Sequence, residues 1–357
     1  MNQTNPQAAP MPELLTVSPS PHARRGVTTT RLMIDVLIAL APATLWGVAA
    51  FGPRAALVLL LSVASAVLFE LLAQKLLRRP VTVRDCSAAV TGLLLGLNLS
   101  PDVPLYIPVV GAAFAIVVVK QLFGGIGKNV MNPALAARVF LMLAWTSGMT
   151  QFSEPFAYLS SGSVDAVASA TPLASLKVGV MPTESLADLF LGKTAGCIGE
   201  VSTLLLLVGG IYLLARRVIG WQIPVSFLGT VALLTFVFPQ GGADRLSFMA
   251  ASLCSGGLVL GAVFMATDYV TSPVTGAGRL IYGCGCGLLV VFIRYFGGYP
   301  EGVSFAILIM NALVWYLDML TKPRVYGKSR GRRREQNGGG TRKNRRGDDR
   351  KEGGQGA

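Results

Sequence analysis

The sequence predicts an all-α integral membrane protein of about ten transmembrane helices, arranged as two inverted five-helix repeats with broken third and eighth helices. Three observations lead there. Of 357 residues, 52% are hydrophobic and 14% charged, whereas soluble domains carry about a quarter charged residues. The apolar residues gather in ten runs, each long enough to cross, or nearly cross, a hydrocarbon core of about 30 Å. Two Gly-rich patterns also return, in the same order, in the second half of the chain.

In chain order, residues 1–31 form a polar, proline-rich leader ending at Arg24, Arg25 and Arg31, without the apolar stretch of a cleavable signal. The first membrane repeat, residues 32–149, holds runs near 32–52, 55–77, 86–100, 103–123 and 132–149. A long connection follows over residues 150–198. The second repeat, residues 199–321, holds runs near 199–219, 222–238, 247–267, 279–296 and 302–321. Residues 322–357 form a basic tail that is expected to be disordered. The third run is short, rich in Gly and Ser, and ends at Ser100-Pro101; the eighth is Gly-rich and ends at Thr267-Asp268. Both read as half-length helices.

The repeat rests on two correspondences. Gly92-Leu93-Leu94-Leu95-Gly96 matches Gly257-Leu258-Val259-Leu260-Gly261, and Leu122-Phe123-Gly124-Gly125 matches Tyr295-Phe296-Gly297-Gly298. The offsets are 165 and 173 residues. Five crossings per half is an odd number, so the halves run in opposite senses, an architecture whose broken helices line a path near the midplane.

An even number of crossings places both termini on one side, and the charge distribution makes that side cytoplasmic. Lys75, Arg78, Arg79, Arg84, Lys120, Lys128, Arg216 and Arg217 fall in the inner connections. The connection 150–198 carries Glu154, Asp165, Glu184 and Asp188 against Lys177 and Lys193, and is expected outside the cytoplasm. Arg54 and Arg294 run against this pattern. The formal charge of +13 invites a nucleic-acid reading, but residues 322–357 alone carry 13 Lys/Arg and 4 Asp/Glu. A basic tail beside a last helix is more commonly an anchor at the lipid surface, so membrane lipids are the expected partner and nucleic acid is not. The five cysteines are scattered, and Cys284 and Cys286 lie inside an apolar run, so they read as packing residues with no metal site. The single histidine, His22, excludes bis-histidine haem ligation within this chain.

Charged residues inside apolar runs are costly and often functional. Asp35, Glu70 and Asp268 qualify, while Glu200 and Asp318 sit nearer the ends of runs. Arg31 lies one turn from Asp35 and is its natural partner. Asp268, beside Thr267 and near Ser272 and Thr275, ends a broken helix, where carbonyls and hydroxyls suit a hard cation. Thr267 and Asp268 are therefore the ion-path candidates, with contact to a bound cofactor or a neighbouring subunit as the competing role. Gly124-Gly125-Ile126-Gly127-Lys128 lacks the spacing of a phosphate loop and reads as a tight turn.

The long connection is the chain's most singular part, because loops of this length in compact proteins usually carry function. Within it, Pro172 keeps Thr171 out of helical geometry, and Ala168, Ser169 and Ala170 leave its hydroxyl open. Composition alone would make this a Ser/Ala-rich linker. Ala168-Ser169-Ala170-Thr171-Pro172-Leu173 is, however, similar to the Ser/Thr-Gly-Ala-Thr motif of flavinylated membrane subunits, with Ala168 and Ser169 as departures. Further matching stretches are Ser20-Pro21-His22, Gly124 to Asn129 with Asn132-Pro133-Ala134, and Phe264-Met265-Ala266-Thr267-Asp268. Thr271 to Thr275, Gly278 to Gly283, Phe296 to Gly302 and Lys322 to Gly327 extend them. Over roughly residues 18–328 the chain resembles the D subunits of Rnf electron-transport complexes, relatives of the B subunit of the sodium-pumping NADH:quinone reductase.

The resemblance implies FMN held covalently on Thr171 through a phosphoester, with riboflavin as an optional second, non-covalent flavin. It implies a subunit, inactive alone, of a ferredoxin:NAD⁺ oxidoreductase that couples electron transfer to Na⁺ or H⁺ translocation. It also implies A-, B-, C-, E- and G-type partner subunits and a multi-pass place in a bacterial inner membrane. The competing expectation is a ten-helix transporter or channel of the same fold without a redox role.

Overall fold

A computed structural model describes residues 28–159, 171–200, 202–242, 244–299 and 301–322. The leader with His22, the positions Asp165, Ala168, Ser169 and Ala170, and the tail beyond Lys322 lie outside the described residues. Those described form helices, turns and loops, with no strand among them. The helices are α1 (Thr29–Phe51), α2 (Pro53–Leu76), α3 (Ser87–Leu97), α4 (Tyr106–Gln121), α5 (Pro133–Ala144), α6 (Thr146–Met149) and α7 (Pro172–Lys177). They continue as α8 (Leu186–Leu191), α9 (Thr203–Ala215), α10 (Gln222–Val237), α11 (Arg245–Cys254), α12 (Leu258–Met265), α13 (Gly276–Phe296) and α14 (Val303–Leu320).

Helix starts follow local chemistry. Thr28 Oγ1 accepts the Arg31 amide at 3.3 Å, Pro53 opens α2, and Asn132 caps α5 by accepting the amides of Ala134 and Leu135. Such caps satisfy the amides that a first turn leaves without partners. Four helices, α1, α2, α13 and α14, are long and apolar enough to cross a membrane. The pair α11 and α12 makes a fifth if counted as one span, bent by 63°. The remaining apolar helices, α3, α4, α5, α9 and α10, are shorter than the runs that announced them. The run 132–149 divides at Trp145 into α5 and α6, and the eighth run is broken as its glycines predict. The break requires Gly256, which has φ +73° and whose added Cβ would meet Leu173 Cδ2 at 2.9 Å.

Packing runs between α2 and α3, α1 and α9, α10 and α13, and α13 and α14. The broken ends meet near the centre: Asn98, just past α3, donates to Met265 Sδ at 3.7 Å, at the end of α12. Asn132 Nδ2 donates to the Met265 carbonyl at 3.2 Å. From the other side, the segment before α9 is stitched onto the end of α3, with Ile198 N donating to Leu99 O at 3.0 Å and Gly199 N to Leu97 O at 2.8 Å.

Candidate functional site

Two concave regions contain the site residues expected from the sequence, one around Thr171 and one around Asp268. Thr171 is extended (φ −67°, ψ 147°) and caps α7, accepting the Ala174 amide on Oγ1 at 3.3 Å. Pro172 fixes the first helical position, so the residue before it is held in this conformation. The hydroxyl is half-buried at the edge of a cleft of about 60 Å³, lined also by Thr194, Glu200, Cys254, Gly256 and Glu301. That volume is well below the roughly 300–1,000 Å³ that encloses a small-molecule ligand. The cleft fits an attachment point, and a large group joined there has to extend out of it.

The floor of this cleft is charged. Arg138, 5% exposed on α5, turns Nη2 to Glu200 Oε1 at 3.0 Å and to Glu301 Oε2. Its Nη1 donates to Asn98 Oδ1 at 2.5 Å, and Cys197 Sγ lies 3.5 Å from Nη2. Glu301 Oε1 accepts the Gly257 amide at 3.0 Å, at the start of α12. Beside it, Arg294 donates to the carbonyls of Ser252 and Ser255 at 2.7 and 3.1 Å. Its charge supports the end of α11, a local use for an arginine that runs against the expected charge pattern. Arg54, the other exception to the charge pattern, is similarly spent on the carbonyls of Pro101 and Asp102.

On the opposite side of the α3–α12 crossing lies a cavity of about 450 Å³ with mainly apolar walls. Polar groups enter it at few points, among them Thr29, Lys120, Asn129, Asn132, Thr267 and Asp268. Asp268 accepts Thr271 Oγ1 at 3.2 Å, and Thr267 donates to the Val263 carbonyl at 2.6 Å. Both ion-path candidates therefore reach one cavity. Thr275 does not join them; it caps α13 through the Gly278 amide at 3.0 Å. Asn129 Oδ1 is buried without a hydrogen-bond partner. Lys120, 2% exposed, stands at the wall on a wide-turned π segment, bonded to Glu70 at 2.7 Å and Ser87 Oγ at 2.6 Å. Such π segments are frequent at functional sites.

The other acids find partners that sequence spacing did not name. Asp35 takes Arg216 at 3.2 Å and Tyr212 at 3.1 Å, in place of the expected Arg31, because α9 packs beside α1. Asp318 accepts the Val274 amide at 3.0 Å. Arg138 and Lys120 are the buried charged residues beside these regions that sequence reasoning missed. The available signal was a lone cation inside an apolar run, which needs a buried partner.

A family model described as the NQR2, RnfD, RnfE family matches residues 16–327. The D subunit of the Na(+)-translocating ferredoxin:NAD(+) oxidoreductase complex of Acetobacterium woodii is 48% identical over 318 residues, 88% of this chain and 95% of that protein. The D subunit of the proton-translocating ferredoxin:NAD(+) oxidoreductase complex of Clostridium ljungdahlii is 42% identical over 326 residues, covering 89% and 97%. The D subunit of the ion-translocating oxidoreductase complex of Escherichia coli O7:K1 is 36% identical over 348 residues, covering 88% and 99%.

Proposed function

Because the chain belongs to the NQR2, RnfD, RnfE family, we propose that it is the D-type membrane subunit of an ion-translocating ferredoxin:NAD⁺ oxidoreductase complex. It works with the other Rnf-type subunits, of the A, B, C, E and G kinds, and is not active alone. The observation that carries the reading to this chain is Thr171: a half-buried residue, fixed in orientation by Pro172 and the α7 cap, lining a small cleft that Glu200 and Glu301 also line. FMN is held there by a phosphoester. A flavin accepts electrons singly or in pairs, and the protein's part is to place it and tune its potential. Thr171 supplies the bond and the direction, while Pro172 keeps the ester oxygen in the cap geometry.

The inner cavity is the place for riboflavin. It has the volume for a ligand of that size, and the partnerless Asn129 Oδ1 and the Lys120 ammonium offer hydrogen bonds at its wall. Asp268 and Thr267, lining the same cavity, serve the ion path. The contact of Asn98 with Met265 supports the inverted repeat, since the ends of the third and eighth runs meet. In that architecture ten segments cross the bacterial inner membrane, both termini and the basic tail are cytoplasmic, and Thr171 faces outward.

The test is in-gel fluorescence. Denatured protein, produced with a flavin transferase, is expected to glow under ultraviolet light, and Thr171→Ala to be dark. A peptide spanning residues 165–177 is expected to carry the mass of FMN. A dark wild type would favour a transporter without redox role; a bright Thr171→Ala would move the attachment elsewhere.

A further inference from the structure

The cleft beside Thr171 has a charged floor that flavin attachment leaves unused. We propose that Glu200 and Glu301, converging on Arg138, form a one-proton site that loads and unloads in step with reduction and reoxidation of the group on Thr171. The proposal rests on Thr171 carrying a flavin.

The geometry gives one directly bonded cation to two carboxylates. Glu200 and Glu301 meet the same Nη2 of Arg138, whose Nη1 is committed to Asn98. Arg294, the other cation against the cluster among the described residues, is spent on the carbonyls of Ser252 and Ser255. One oxygen of each carboxylate and the Cys197 sulfur all lie within 4.8 Å of one another. Gly257 makes room for the pair, because an added Cβ would lie 2.8 Å from Oε1 of both glutamates. Two carboxylates held this close on one cation take up a single proton readily when negative charge is added nearby.

The two are not equivalent. Glu301 has a donor on each oxygen, the Gly257 amide and Arg138, which is the pattern of an ionised carboxylate. Glu200 has Arg138 on Oε1, while Oε2 lies toward Gly196, another residue lining the cleft. When the site is loaded, the proton therefore sits on Glu200. Both glutamates line the cleft with Thr171, so a change of charge on a group joined there acts on them through the field at the cleft.

When two electrons and one proton reach a flavin, its charge becomes more negative by one. The floor answers by taking one proton from water on the outer side, forming an O–H bond at Glu200 Oε2. On reoxidation that bond breaks and the proton returns to solvent. The electrons come from reduced ferredoxin through the complex, so nothing is oxidised or reduced at the floor itself.

The experiment uses the purified whole complex. In the reduced-minus-oxidised infrared difference spectrum, a carboxylic acid carbonyl band is expected to appear on reduction, shift in D₂O, and vanish in Glu200→Gln. The midpoint potential of the covalent flavin is expected to fall less steeply with pH in Glu200→Gln and Glu301→Gln than in wild type, with Glu200→Asp restoring the slope. No carboxyl band in the wild type would overturn the proposal, whether or not any variant assembles. So would a potential that follows Na⁺ at fixed pH and ignores pH, which would make the floor a cation site. Gel fluorescence is read on each sample, because a dark wild type would defeat the attachment at Thr171 separately from the proton site; in that event the same band, sought on reduction of the complex as a whole, decides.

Discussion

The cleft beside Thr171 and the cavity beside Asp268 differ in size and in the chemistry of their walls. The cleft offers about 60 Å³, with Glu200, Glu301 and the Thr171 hydroxyl in its lining. The cavity offers about 450 Å³ and mostly apolar walls. A flavin ring system cannot be enclosed by the first, so retention there has to come from a bond. In the second, enclosure and apolar contact can hold a ligand without one. The difference separates anchoring from burial: Thr171 fixes a position without surrounding it, and the cavity surrounds without fixing. The floor of charges beneath Thr171 is then free to respond to what happens above it.

The largest effect that would break this comparison is at Thr171 itself. Thr171→Ala is expected to remove the covalent flavin signal completely, with the inner cavity still able to retain a flavin extractable without hydrolysis. The converse variant, Ile219→Trp, fills the cavity wall. It is expected to eliminate the extractable flavin, read by chromatography of an acid extract, while the gel band stays bright. Equal loss of both signals in either variant would mean that the two regions are not separate sites.

Smaller effects concern the supports. Glu70→Ala leaves the buried Lys120 ammonium without its carboxylate and is expected to cost about 3–5 kcal/mol. Replacing both members with apolar residues of similar volume is expected to recover most of that loss. Thermal unfolding in detergent, with matched lipid, would measure both. Asn132→Ala removes the α5 cap and the bond to the Met265 carbonyl, for an expected loss of about 1–2 kcal/mol. Its covalent flavin signal should stay at the wild-type level, because Asn132 does not line the cleft at Thr171.

Much of the helical framework was legible because apolar runs are a strong signal. The breaks were legible where glycine marks them, as at Gly256 and Gly257, and illegible where they depend on packing, as at Trp145. Thr171 could be singled out by the likeness of its motif to those of flavinylated subunits, but its cleft could not. The floor draws on Arg138, Glu200 and Glu301 from three distant parts of the chain, and no local spacing joins them. Lys120 was hidden for another reason. Counting positive charges by side treats each as an exposed loop residue, whereas this one is folded inward against Glu70. Asp35 shows the same limit, since a partner one turn away looked sufficient and a residue 181 positions distant took its place.

The two amide bonds that tie Ile198 and Gly199 to the end of α3 have a mechanical consequence. Gly199 sits so close that an added Cβ would lie 2.5 Å from Leu97 Cβ, and Glu200 follows directly. The segment thus works as a rivet between the end of α3 and the residues that precede α9. Glu200 cannot shift far without straining those two bonds, so the charged floor and the end of α3 share one support.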